Sequence, residues 1–159
     1  MRILRLALAL ALASLPAACA TVPQRVEKPV NLKEDAVLRI PFSVSWTGTH
    51  DLELQFPTTA SESMRILKDH TLEKIVGTAT LTSEGKSLKR ELPSSWERPM
   101  RPPPSIGTVI VRFHAEANKP YVLSLRIRHL PSQLPRQAIA VVREVTPHFH
   151  PGHRVYVLQ

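Results

Sequence analysis

Three imidazoles fall within six residues at His148-Phe149-His150-Pro151-Gly152-His153, the densest run of potential metal ligands in the chain. Neutral imidazole binds Zn²⁺ and Cu²⁺. Pro147 and Pro151 restrict the backbone there, and Gly152 permits a reversal that would converge the rings. No carboxylate or thiolate lies within the run to complete the shell or orient a ring. A solvated loop ahead of the last strand accounts for the same three residues, since His148 and His150 share a face by alternation alone.

Two acid–imidazole neighbours, His50-Asp51 and Asp69-His70, are the other candidates for chemistry. Catalytic dyads form through space, and adjacent residues of a strand point to opposite faces. No Gly-x-Ser-x-Gly elbow, phosphate loop or His-Glu-x-x-His helix accompanies them. The residues therefore argue for a protein that is not an enzyme and needs no cofactor.

The lone cysteine, Cys19, excludes a disulfide framework and a Cys-based zinc site. Ahead of it, Arg2 and Arg5 precede an apolar run from Leu6 to Leu15, about half the length of a bilayer span. That layout is a secretory leader, over 1–18, and not an anchor helix. The ending Leu15-Pro16-Ala17-Ala18-Cys19 resembles a bacterial lipobox, with Pro16 where that pattern has Leu. The resemblance implies lipidation of Cys19, and Ala20 after it implies the outer membrane, facing the periplasm. The alternative is ordinary cleavage near Ala18 or Ala20.

Only two of the 21 Lys and Arg residues lie in the leader, so the net charge of +8 belongs largely to the exported domain. From Lys119 onward six basic residues stand against the single acid Glu144. Arg126 and Arg128 share an exposed strand face, beside Arg112 if their two strands form a hairpin. In the proline-rich stretch 93–107, Trp96, Arg98 and Arg101 are of the types enriched at interface hot spots. These six residues are the candidate partner-binding set, and the basic excess favours an acidic protein. Export, and an aromatic content of 5%, argue against nucleic acid. The same charges suit anionic lipid headgroups or a merely solubilising surface.

The elements that must carry these residues read as short strands. Fifteen prolines in 159 residues break up helices. After a tether over 20–31, period-two alternation marks strands at 36–46, 51–56, 78–83, 87–92, 108–117, 121–128, 138–145 and 154–158. The first two are expected to pair as a hairpin, with Asp51, Glu53 and Gln55 in solvent; 78–83 and 87–92 form another around Glu84-Gly85. Thr59 to Glu62 fits a capping box, opening one helix over 60–76. The expected architecture is mainly β: an antiparallel β-sandwich, immunoglobulin-like or C2-like, with one inserted helix, in a single domain over 32–159.

Ala36–Val44 leading through His50–Phe56, and Lys119-Pro120-Tyr121 opening a later strand, resemble small proteobacterial envelope lipoproteins with a β-sandwich domain of unknown function. The resemblance implies an envelope β-sandwich with no catalytic residue. Some lipoproteins of this kind act as immunity proteins beside secreted toxins. Three roles follow: a protein-binding module or immunity factor, a structural or lipid-surface protein, or metal capture by His148, His150 and His153.

Overall fold

The computed structural model describes residues 25–92, 105–145 and 155–159. Its strands are β1 (Arg25–Asn31), β2 (Val37–Ser43), β3 (Gly48–Pro57), β4 (Val76–Ser83), β5 (Lys86–Leu92), β6 (Ser105–Ala115), β7 (Pro120–His129) and β8 (Gln137–Glu144). They form two four-stranded antiparallel sheets, ordered β1-β8-β3-β6 and β2-β7-β4-β5. The chain is an antiparallel β-sandwich.

Alternation explains how the layers meet. Leu52, Leu54 and Phe56 of β3 face Ile40 and Phe42 of β2 and Leu123 and Leu125 of β7 in one buried core. Its aromatic centre spans both sheets: Tyr121 stacks on Phe42 at 5.5 Å and meets Phe113 edge-on at 5.8 Å. Offset and edge-to-face contacts of this kind add about 0.5–1.5 kcal/mol each beyond the area they bury. The Tyr121 hydroxyl, carried inside with its ring, accepts from the Glu116 amide at 2.8 Å.

Several sequence expectations need correction. β2 and β3 are not a hairpin: β2 pairs with β7, and β3 pairs with β6 and β8 in the opposite sheet. The intervening residues arch over the end of the sandwich, where the Asn118 amide donates to the Val44 carbonyl at 2.6 Å. Consequently Trp46, which lies in this arch, is 42% exposed. β6 and β7 likewise lie in different sheets. Residues 25–31 are no tether but the edge strand β1, held along β8 with Val30 buried. Period two identifies a strand but not its neighbour, and outside the β4–β5 hairpin the pairing partners are remote in sequence.

The helix is shorter than 60–76. α1 (Ala60–Lys68) opens on the expected capping box, with the Glu62 amide donating to Thr59 Oγ1 at 3.3 Å and Thr59 N to Glu62 Oε2 at 2.8 Å. It ends at Asp69, and His70 turns left-handed at φ 52° before a 3₁₀ turn at Thr71–Lys74. The five-residue step between Leu67 and Leu72, too long for one helical face, spans this break. Ile66, Leu72 and Ile75 enter the core, while Met64 and Leu67 stay exposed.

The β4–β5 turn follows its residues. Glu84 and Gly85 sit at φ 48° and 80°, the two positive values a two-residue hairpin loop of the primed type needs. Pro29 in β1 and Pro41 in β2 lie on outermost strands, where a missing donor leaves the ladder intact and blunts further strand addition. On the other flank, Gln159 exchanges two backbone hydrogen bonds with Ser87, and Tyr156 exchanges two with Arg112 and His114. The tail thus joins β5 to β6; in place of the strand expected over 154–158, the described part makes one bridge, Phe113 to Tyr156.

Candidate functional site

The outer face of the first sheet holds a charged ladder. Asp51, Glu53 and Gln55 alternate outward along β3, yet Asp51 and Glu53 are 0% exposed and Gln55 3%. They were expected in solvent. Arg112, directly across on β6, reaches back to Asp51 with Nε to Oδ1 at 2.7 Å and Nη2 to Oδ2 at 2.9 Å. Arg143, across on β8, bonds Glu53 Oε1 through Nε and Asp51 Oδ2 through Nη2 at 3.3 Å. Gln55 then donates to Glu53 at 3.0 Å and accepts from Arg25 of β1 at 2.9 Å.

The ladder therefore ties all four strands of the sheet together. Asp51 and Glu53 balance Arg112 and Arg143, Arg25 pairs with Glu27, and the fork geometry suits paired carboxylate recognition. Buried ion pairs contribute little net stability but penalise any pairing that leaves one charge alone. Its chemistry is registration, with every described charge committed to another.

Arg112 thus does not join Arg126 and Arg128. Those two stand exposed on the outer face of the second sheet, on the far side of the molecule. There Arg39, Ser124, Thr80 and Lys89 lie in one row across β2, β7, β4 and β5. At the usual strand spacing the row spans about 14 Å. In the neighbouring row Val37, Arg126, Thr78 and Glu91 are in register. Glu91 receives Arg128 at 3.2 Å and Thr78 at 3.1 Å, and Lys89 lies 3.6 Å from it. Arg126 approaches Asp35 only to 3.8 Å. The result is an exposed row of two hydroxyls with Arg39 and Lys89 at its ends, and Arg126 and Arg128 beside it on β7.

Arg39 was missed in the sequence, and Lys89, part of a basic cluster there, was not placed beside it, because β2 and β5 are far apart along the chain and adjoin this face only through β7 and β4. The buried role of Arg112 had a readable signal: an Asp-x-Glu strand face and arginines at outward positions of two other strands. Trp96, Arg98, Arg101, Cys19, His148, His150 and His153 lie outside the described residues. Among the described residues no group of three or more His, Cys, Asp or Glu is placed to hold a metal ion.

The acid–imidazole neighbours do not converge. Asp51 faces outward, whereas His50 turns toward the core, 6.1 Å from the Phe113 ring, with Nδ1 3.1 Å from the Gly48 carbonyl. His70 sits in solvent against Glu73 at 3.2 Å. Near the tail, Lys119 is clamped by Glu84 at 2.9 Å and Glu116 at 2.8 Å; the two carboxylates raise its ammonium above the ordinary lysine range.

Burial lowers the His50 pKa below its ordinary 6.5, outweighing the Gly48 carbonyl and the Glu144 and Asp51 charges, which act the other way; His114 reinforces it. The unfolded chain therefore takes up a proton that the folded state resists. Stability is expected to fall as pH drops below about 6.5, the unfolded value. Denaturant titrations at about pH 5 and pH 7.5 test this, with His50→Phe removing the difference contributed by this ring. An unchanged difference in that variant refutes it.

No family model matches this sequence. No curated protein matches it either. A crystal structure of a protein from Sulfurospirillum deleyianum is similar at 9% identity, with a TM-score of 0.48, covering 78% of this chain and 99% of that one. Among the described residues no helix is long and apolar enough to cross a membrane.

Proposed function

We propose that this chain is a non-enzymatic binding module of the cell envelope, anchored at the outer membrane through an acylated Cys19, that holds an acidic protein on the periplasmic side. The observation that supports this reading is the outer face of the second sheet, where Arg39, Lys89, Arg126 and Arg128 are all exposed around a row of small hydroxyls. Cations on an exposed face steer an oppositely charged partner and fix its orientation. Ser124 and Thr80 offer hydrogen bonds without obstructing close approach.

An anchor on Cys19 would hold the sandwich near the bilayer. With β1 starting at Arg25, the intervening chain reaches at most about 20 Å. A toxin acting in the periplasm is the partner class suggested by the resemblance to immunity lipoproteins.

Affinity capture from envelope extracts tests the reading. The chain is expected to retain an acidic protein at low ionic strength and to release it in about 1 M salt, where screening falls to about 3 Å. Reversing Arg39, Lys89 and Arg126 together to Glu should abolish retention. Equal retention by that variant refutes the reading. Flotation of a Cys19→Ser chain with anionic vesicles, in the absence of any captured protein, would replace it with a lipid-surface role.

A further inference from the structure

A cleft of about 160 Å³ opens beside this face, where the ends of β1, β2 and β7 part. Leu32, Val37, Leu38, Leu125 and Ile127 wall it, and Lys33 stands at its rim. An engineered apolar cavity of about 150 Å³ holds benzene, so this one has room for a group of about six carbons. Pockets for whole metabolites start at about 300 Å³. The size is that of one leucine or phenylalanine side chain.

The wall is already in place. Residues 32–36 are pinned to β7: the Asp35 amide donates to the Ile127 carbonyl at 2.7 Å, and the Leu130 amide donates to the Glu34 carboxylate at 2.7 Å. Asp35 holds φ 61°, a left-handed value that an unpinned aspartate adopts at a cost. A preformed wall spares an entering group the entropy of ordering it.

The charges at the rim select what enters. Glu34 is engaged by the Leu130 amide and lies 3.6 Å from His129, and Asp35 faces Arg126. Lys33 is exposed and has no ion-pair partner among the described residues. Val37 is 59% exposed and lies in the same row as Arg126, so the cleft continues directly into the cationic face. We infer that the cleft is the anchor pocket of the partner interface, taking one leucine or phenylalanine side chain of the acidic partner whose neighbouring carboxylate pairs with Lys33. This rests on the binding-module reading above.

N-acetyl-L-leucine, which joins the side chain to a carboxylate, is the probe. Titrated into the mature chain, it is expected to give saturable amide shifts confined to 32–38 and 125–127 by NMR, with N-acetyl-L-alanine giving none. Lys33→Gln should weaken binding about tenfold, the usual scale of a charge-assisted contact. Ala36→Trp, at an exposed position on the rim, should fill the cleft and abolish binding while the rest of the spectrum persists. No saturable shift, or equal response to both probes, overturns the inference. The Arg39→Glu, Lys89→Glu chain separates the two readings. It should still bind N-acetyl-L-leucine while losing the partner, whereas a dead cleft with intact salt-sensitive capture would refute only the pocket.

Discussion

Arg112→Met is expected to destabilise the fold by about 3–5 kcal/mol, the usual cost of leaving one member of a buried ion pair alone. Asp51 is 0% exposed and takes two of its hydrogen bonds from that guanidinium, at 2.7 and 2.9 Å. Methionine keeps the apolar stem but supplies no donor. Arg143 remains 3.3 Å from Asp51 Oδ2, so the loss should fall toward the lower end of the range. Chemical denaturation measures it. Pairing the change with Asp51→Leu should recover most of the loss, since an apolar pair of similar volume removes the orphaned charge. A single-variant loss under about 1 kcal/mol would show that Arg143 alone satisfies Asp51 and would remove the role of Arg112 in strand registration.

Gly77→Ala should cost about 1–3 kcal/mol, the range for forcing extra atoms into a packed site. Gly77 lies where the β4–β7 register shifts. A Cβ added there would fall 2.4 Å from the Arg126 carbonyl oxygen and 3.1 Å from the Ile127 Cα. Both obstacles are backbone, so no rotamer change relieves them and the two central strands of the second sheet must separate. Thermal unfolding of the alanine variant tests this, and an unchanged midpoint refutes it. Because Arg126 sits on the proposed interface, partner capture should weaken as well. Arg112→Met acts on the other sheet and should leave capture intact at temperatures where the chain stays folded.

Local features were legible wherever a few neighbouring residues decide them. The Thr59–Glu62 box, the Glu84-Gly85 reversal and the two faces of β7 each follow from contacts or dihedral angles within a short stretch. The placement of the residues expected to bind a partner was only partly legible. Arg126 and Arg128 are exposed on one face as expected, but the hairpin that was to bring Arg112 beside them does not form. A β-sandwich separates consecutive strands into two layers through arches, and an arch of a few residues resembles a hairpin turn in sequence.

Taken alone, the residues determined that this chain makes short strands, roughly where those strands lie, and that two layers pack through Leu, Ile, Val and aromatic positions of alternate parity. That information is local, because alternation reflects the pleat of a single strand. Apart from the β4–β5 hairpin, only the tertiary structure decided which strands are neighbours, and with that the fate of the charges on the described strands. Asp51 meets Arg112 across 61 residues of chain and Arg143 across 92. Pairings that distant leave no trace in local periodicity, so a strand face that looked solvated became the buried ladder of one sheet, while Arg39, Lys89 and Arg126 converged on the open face of the other.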